Sequence, residues 1–436
     1  MRTTSQIGVA AFLALAGCAD PAVHPTAIPV ATRSTASIPL LPPIGPTVPA
    51  EPTPEPVVDF LPELAPVEYV IPPTIQHAWP GGATVYFELA QEAQISILTA
   101  DQDAGSWRVA FRAAAGLRFL LPVEDLVPGE SYEIAVGVSD SDGDYRAPSF
   151  LGERWGPLRL HVPEESPASV RLVVIGDSGY GDAVTRELAV AAAAFAPDAT
   201  LHLGDLVYRG EEEGSPTQAY ARKFYLALQP LLESGPIYPV FGNHELDGPV
   251  QGDDAPYYYH AFPLLPEWCC GEDASPGRRE WYRVVWGDLQ FLFLNSQAFY
   301  GHGDLPSQNE WLDRRLADPA FSATIPLMHI APFSAGLHSR DGSPLRSAWH
   351  PRFAEAGVPL VLAGHDHNYE RFFVDNVTYV VSGGGSAVLY ARQAEIPGEI
   401  QFSARNHFLV IDLVAGQVTV RAITEEDHLI DEYTWP

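Results

Sequence analysis

Between Ser169 and Thr424, short apolar, β-branched runs alternate with helical stretches. That alternation commits the region to a layered α/β fold. Leu172-Val173-Val174-Ile175 reads as a buried strand, and Ala183 to Ala196 as an alanine-rich helix stopped by Pro197. Leu201-His202-Leu203, Pro236 to Phe241, Ile325 to Ile330 and Val358 to Ala363 read as further strands. Nearly every strand runs into polar, metal-capable residues. Ligand sites in α/β sheets lie at such strand ends, so the chemistry is expected there.

Five segments stand in order at those ends: Gly176-Asp177-Ser178-Gly179, Gly204-Asp205-Leu206-Val207-Tyr208, Gly242-Asn243-His244-Glu245, Met328-His329 and Gly364-His365-Asp366-His367-Asn368-Tyr369-Glu370-Arg371. Together they offer two Asp, one Asn, one Tyr and three His, with His244 besides. Hard oxygen donors mixed with imidazoles suit Fe, Mn or Zn better than Ca, which takes oxygen alone. The glycines allow sharp turns and close backbone approach. Taken singly, each residue has a plain structural reading. An Asp after a strand is usually a turn or helix cap, and an Asn-His pair a hydrogen-bonded turn. His365 and His367 say more, because i and i+2 of an extended segment point to the same side. The combination of five blocks, each after an apolar strand, carries the signal.

These blocks resemble those of the calcineurin-like metallophosphoesterases in their purple acid phosphatase variant. That variant has Asp-x-Gly where others have Asp-x-His, and Gly-Asp-x-x-Tyr where others have Gly-Asp-x-x-Asp; this chain has both. The resemblance implies an α/β catalytic domain, a four-layer αββα sandwich, over residues 169–436. It assigns one metal to Asp177, Asp205, Tyr208 and His367, and a second to Asp205, Asn243, His329 and His365, with Asp205 bridging. It implies Fe at the Tyr208 site and Zn, Mn or Fe at the other. The implied activity is hydrolysis of phosphate monoesters, a metal-bound hydroxide attacking phosphorus in line. His244 is the expected outer-sphere acid, and His338, in the loop after the fourth block, a phosphate contact. A phosphodiesterase or nucleotidase on the same fold is the alternative within the enzyme class, since a fold does not fix a substrate. A non-catalytic surface lipoprotein with a decayed site is the alternative outside it. One departure from the family pattern is Pro326, where the fourth block usually has an aliphatic residue.

Charge fits this reading. The 436 residues carry 25 basic and 55 acidic side chains, net −30. So acidic a chain repels nucleic acid and anionic membrane surfaces at long range, which excludes nucleic acid as a partner. A small phosphate-ester substrate then needs a local positive centre, and bound metal supplies one.

The region 67–165 reads as short strands and turns, with Thr84 to Leu89 and Gln94 to Leu98 as two strands. A Pro128-Gly129 turn leads into the alternating run Ser131 to Val138. An early tyrosine after such a turn resembles fibronectin type III and immunoglobulin-like sandwiches, an all-β domain ahead of the catalytic one. It holds no catalytic cluster. Residues 19–66, rich in Pro, Thr, Ala and Val, read as a semi-rigid linker.

Residues 1–18 read as an address. The apolar run Ile7 to Ala16 is too short to span a bilayer and has the length of a signal-peptide core. Leu15-Ala16-Gly17-Cys18 resembles a bacterial lipobox, which implies lipidation of Cys18, a membrane anchor and a place in the bacterial cell envelope. Adjacent Cys269 and Cys270 are closer along the chain than disulfide geometry favours; a strained bond and two free thiols both stay open.

Three further features have plain readings. Ser382-Gly383-Gly384-Gly385-Ser386 lacks the Gly-Lys-Ser/Thr ending of a phosphate loop and reads as a tight turn. Tyr257-Tyr258-Tyr259-His260 reads as packing under a long loop. Asn376-Val377-Thr378 matches a glycosylation sequon, which a bacterial envelope makes irrelevant.

Overall fold

A computed structural model describes residues 57–101, 106–209, 215–246, 256–263, 274–275, 280–414 and 416–435. The leader, Cys18, the linker up to residue 56, Cys269 and Cys270 lie outside the described residues.

The N-terminal region is all-β. Its strands are β1 (Val57–Val58), β2 (Phe60–Trp79), β3 (Gly82–Asp101), β4 (Trp107–Val123), β5 (Ser131–Ser139), β6 (Tyr145–Phe150), β7 (Glu153–Arg154) and β8 (Leu158–His161). They form one eight-stranded assembly in the order β1-β4-β3-β2-β6-β5-β8, with β7 on β6 and β3 also paired to β5. The two strands expected at 84–89 and 94–98 are a single strand, β3. Its register on β4 shifts between Glu88 and Ala93 and again before Ile95. Such bulges bend a strand and increase its twist, so one long strand pairs with β2 through its first half and β5 through its second. Gln91, Glu92 and Gln94 at the bend interrupt the apolar alternation and read locally as a break between two strands. Strand β1 and the start of β2 also fall within residues 57–66, assigned above to the linker. The Pro-Gly turn leads into β5, and the Tyr132 hydroxyl accepts the Val127 N–H at 3.3 Å.

Thirteen more strands among the described residues build the second region. One sheet contains β9 (Ser169–Ile175), β10 (Ala199–His202), β11 (Ile237–Pro239), β19 (Phe408–Val414), β20 (Gln417–Ile423) and β21 (Leu429–Trp435), in the order β11-β10-β9-β19-β20-β21. The other contains β12 (Tyr282–Trp286), β13 (Leu289–Phe293), β14 (Ala323–Met328), β15 (Leu360–Ala363), β16 (Tyr369–Val374), β17 (Val377–Ser382) and β18 (Glu399–Ser403), in the order β12-β13-β14-β15-β17-β16-β18.

Period-2 alternation in the central strands explains the layering. Leu172 and Val174 of β9 face a core shared with Phe291, Phe293, Ile325, Leu327 and Leu362 of the opposite sheet. Val173 and Ile175 point the other way, onto Leu188, Ala189 and Ala192 of the helix Ala183–Ala193. Leu292 and Met328 turn outward onto Trp311 and Leu312 of the helix Leu305–Leu316 and onto Phe353 and the N-cap Trp349 of the helix His350–Glu355. Strands apolar on both faces must be covered on both, and helix, sheet, sheet, helix is the result. This is the expected αββα arrangement. The Asp182 side chain caps the first helix by accepting from Thr185 N–H.

Pro326 sits inside β14, opposite Leu292 of β13, while pairing to β15 begins one residue later, at Leu327. Its missing N–H therefore falls where β14 has no paired residue on β15, the kind of place where a strand tolerates proline.

The two regions share one apolar core. Ile75, Phe87, Phe150 and Trp155 cluster with Val173, Tyr225, Leu228 and Phe241. Hydrogen bonds cross as well, from Ala78 N–H to the Tyr238 hydroxyl at 3.1 Å and from Arg159 N–H to the Glu233 carbonyl at 2.7 Å. Residues 54–436 accordingly form a single compact unit, not two linked bodies.

Candidate metal centre

The five blocks leave the sheets at one edge. β9, β10 and β11 run parallel and carry Asp177, Asp205 with Tyr208, and Asn243 past their ends; β14 and β15 run parallel and carry His329 and His365. Asp177, Asp205 and His365 have φ of 59°, 56° and 71°. Non-glycine residues held in that left-handed region cost on the order of 1–3 kcal/mol each and persist only where surroundings over-determine them. Here the surroundings do. Asp177 N–H donates to the Gly204 carbonyl at 3.1 Å, and His365 N–H to the Asp177 carboxylate at 3.0 Å. Asp205 N–H donates to Glu245 Oε2 at 2.9 Å.

Two glycines make room for this convergence. A Cβ on Gly204, itself at φ +92°, would lie 2.7 Å from His329 Nδ1. A Cβ on Gly242 would run into the Asp205 carboxylate and backbone N–H. The glycine-rich turn after β17 proves to be a clamp on the first block: Gly385 N–H donates to the Gly176 carbonyl at 3.0 Å, and the Ser386 hydroxyl to the Asp177 carbonyl at 2.8 Å.

All seven expected ligand side chains come together. The Tyr208 hydroxyl lies 2.9 Å from His367 Nε2 and 3.2 Å from Asp177 Oδ1. His329 Nε2 lies 2.9 Å from Asn243 Oδ1, 3.2 Å from Asp205 Oδ1 and 3.2 Å from His365 Nδ1. Asp205, His329 and His365 each present one ligand atom within 4.8 Å of the others, and all three are buried. The backbone sets the histidine tautomers. His329 Nδ1 donates to the Leu203 carbonyl at 2.8 Å and His367 Nδ1 to the Val388 carbonyl at 2.9 Å. A neutral ring that donates from Nδ1 presents its lone pair at Nε2, and both Nε2 atoms face the cluster.

Electrostatics point the same way. Burial lowers His365 and His367 to about 4, so both rings are neutral in ordinary solution. Burial opposes charge on His329 too, yet Asp205 and Asp177 beside it carry its pKa up to about 10. The field at that point favours a positive charge strongly enough to overcome desolvation, and a cation would take the proton's place. Burial pushes the Tyr208 phenol well above its usual range, with Asp177 and Asp205 adding to the effect. Only a strong local positive charge would bring such a phenol to phenolate. Carboxylate, phenol, amide oxygen and neutral imidazole thus fit a pair of borderline-to-hard cations.

His244 stands outside the ligand cluster. Its backbone N–H donates to Asp205 Oδ1 at 3.0 Å, and its ring packs edge-on against Tyr208 with centroids 4.6 Å apart. His338 lies beside His365, rings 4.2 Å apart, with Nδ1 3.0 Å from Asp341 Oδ2. Tyr390 stacks on His367 at 4.3 Å and 11°. Tyr258 packs as expected, fully buried against Phe241 with its hydroxyl on the Pro239 carbonyl.

Sequence reasoning missed four supporting residues. Glu245 accepts from Asp205, Leu206 and Gly242 N–H groups at 2.7–2.9 Å. Asp366 and Glu370 hold the loop after the fourth block: His338 N–H donates to Asp366 at 3.0 Å and Ala335 N–H to Glu370 at 2.6 Å. These three lie inside the quoted blocks, where a carboxylate beside ligands was a usable signal. Asp341 lies in no block and had none.

Geometry and pattern define the class: residues 170–369 match the family model for calcineurin-like phosphoesterases, and this region is a phosphoesterase domain of that kind. Within the class, the chain is similar in sequence to a purple acid phosphatase. It is 29% identical over 161 residues to a purple acid phosphatase of Glycine max, covering 36% of this chain and 34% of that protein. It is 39% identical over 98 residues to a 3',5'-cyclic adenosine monophosphate phosphodiesterase, CpdA, of Escherichia coli K12, covering 21% of this chain and 34% of that protein. The chain thus spans about a third of the length of these curated relatives. Its fold is similar to that of purple acid phosphatase PPD1 from Lupinus luteus seeds, with a TM-score of 0.62 at 16% identity over 83% of this chain and 73% of that one.

Proposed function

We propose that the protein hydrolyses phosphate monoesters at a centre of two metal ions. One is Fe, held by Asp177, Asp205, Tyr208 and His367; the other is Zn, Mn or Fe, held by Asp205, Asn243, His329 and His365. The observation that carries this reading is the convergence of all seven donors, with the His329 and His367 tautomers fixed by backbone carbonyls so that Nε2 faces inward. When bound, such a pair supplies Lewis acidity and charge for the phosphoryl oxygens.

The chain's own residues do the rest. Asp205, its carboxylate buried, is the donor common to both sets. His244, beside Tyr208 and outside the donor set, holds a proton on its ring nitrogen and delivers it to the ester oxygen as the leaving alkoxide forms. His338 receives a phosphate oxygen at the rim. Tyr390 and Tyr180 pack on His367 and Tyr208 respectively. The purified protein should turn over a chromogenic phosphomonoester after metal loading, with iron and a second metal near stoichiometric. Absence of turnover with every metal pair would overturn the proposal.

A diesterase is the second reading, favoured by the 39% identity to a protein named as a cyclic nucleotide phosphodiesterase. Parallel rates on an aryl monoester, a bis-aryl diester and a cyclic nucleotide separate the two.

We further propose that Cys18 carries lipid and holds the protein in the bacterial cell envelope, with the phosphate ester as its partner and no nucleic acid. No helix among the described residues is long and apolar enough to cross a membrane. Cys18→Ser should release the protein from the membrane fraction; retention there would sink the anchor.

A further inference from the structure

One carboxylate oxygen meets two imidazoles beside the candidate centre. Asp341 Oδ2 lies 3.0 Å from His338 Nδ1 and 3.1 Å from His365 Nε2. A carboxylate oxygen only accepts, so both nitrogens donate. A neutral imidazole that donates from Nε2 keeps its lone pair at Nδ1, and His365 Nδ1 is the atom facing His329 Nε2 at 3.2 Å.

The contact differs from an ordinary surface pair. Its loop is tied to the segment that carries His365: Asp366, the next residue, accepts the His338 N–H at 3.0 Å, and Glu370 accepts the Ala335 N–H at 2.6 Å. The Ser334 hydroxyl joins both carboxylates. At the far end of the loop, the Tyr300 hydroxyl donates to the Asp341 carbonyl. The backbone on either side of the carboxylate is therefore fixed relative to the ring it meets.

We propose that Asp341 is a positioning residue that orients two histidines at once. It fixes His365 with Nδ1 toward Asp205 and His329, and it fixes His338 with Nε2 as the open nitrogen. His329 and His367 receive the same service from backbone carbonyls; His365 receives it from a side chain, so its ring is the one of the three whose orientation a substitution can release. This inference rests on the reading of the cluster as a metal centre. Carboxylate partners of ligating histidines typically contribute 10–100-fold to metal affinity.

Zn(II) affinity of the full chain, measured by competition with a chelating indicator, tests it without reference to turnover. Wild-type protein should bind two Zn(II). Asp341→Ala should weaken one of them about 10–100-fold and leave the other unchanged. Asp341→Asn, whose amide oxygen still accepts, should recover most of the loss, whereas Asp341→Leu, of similar size but with no acceptor, should stay as weak as the Ala variant. Asp375→Ala serves as control, since it removes the comparable carboxylate from His350 away from the centre. An Asp341→Ala protein that binds both ions as tightly as wild type overturns the inference and leaves the metal centre standing. So does an Asn variant as weak as the Ala variant. A wild type that binds no Zn(II), Mn(II) or iron overturns both.

Discussion

Glu245 holds Asp205 in place through the backbone: Glu245 Oε2 accepts the Asp205 N–H at 2.9 Å and the Gly242 N–H at 2.7 Å, and Oε1 accepts the Leu206 N–H at 2.7 Å. One buried carboxylate thus ties the second block to the third and supports a residue at φ 56°. Gln has the same shape, but its amide nitrogen would face an N–H in place of an acceptor. Glu245→Gln should cost about 1–3 kcal/mol, the usual cost of an unsatisfied buried group, and should reduce metal content. Urea midpoints and elemental analysis of the variant check both.

The phenol of Tyr208 is the one member of the proposed donor set that is neither carboxylate, amide nor imidazole. A phenolate on a ferric ion absorbs broadly in the visible, so oxidised protein should be coloured. Tyr208→Phe should lose the colour while the fold persists, because the ring still packs against Tyr180 and His244. A colourless, iron-free and fully active wild type would contradict the iron assignment.

Asp205 and His244 should fail in different ways. Asp205→Asn removes charge from the shared donor, and activity should fall in step with lost metal. His244→Ala should keep metal and lose about 10²–10⁴-fold in rate, the usual contribution of an acid–base group. The loss should be smaller for an aryl phosphate, whose leaving phenolate hardly needs a proton, than for an alkyl phosphate. Metal content and turnover of both variants on both substrates decide this. Equal slowing on both substrates would make His244 a phosphate-positioning group.

Stability should fall on acidification through a histidine outside the centre. His407 is buried between Ser382 and the Arg405 carbonyl, and burial lowers it from 6.5 to about 4. Below pH 6.5 the unfolded chain takes up a proton there that the folded chain refuses. Stability is therefore lost as pH falls from 6.5 to about 4, by up to about 1.4 kcal/mol per pH unit. His407→Gln should shrink the drop in unfolding midpoint between pH 7 and pH 5. An unchanged drop would show that His407 protonates in the folded state.

The sequence by itself determined the strand–helix alternation; the αββα layering and the seven side chains that cluster followed from the family resemblance of the five blocks. Those depend on local periodicity and on residue types at strand ends, which are written along the chain. Four outcomes needed the tertiary structure. Residues 84–98 became one bent strand because β2 and β5 lie on successive parts of it. The β-region and the phosphoesterase-like region became one unit because Trp155 and Phe150 found Tyr225 and Phe241. The histidine tautomers were set by carbonyls 126 and 21 residues away along the chain. Asp341 acquired its role from a loop that returns to His365 across 24 residues. Each of these rests on a partner distant in sequence, and no local pattern encodes which distant group will arrive.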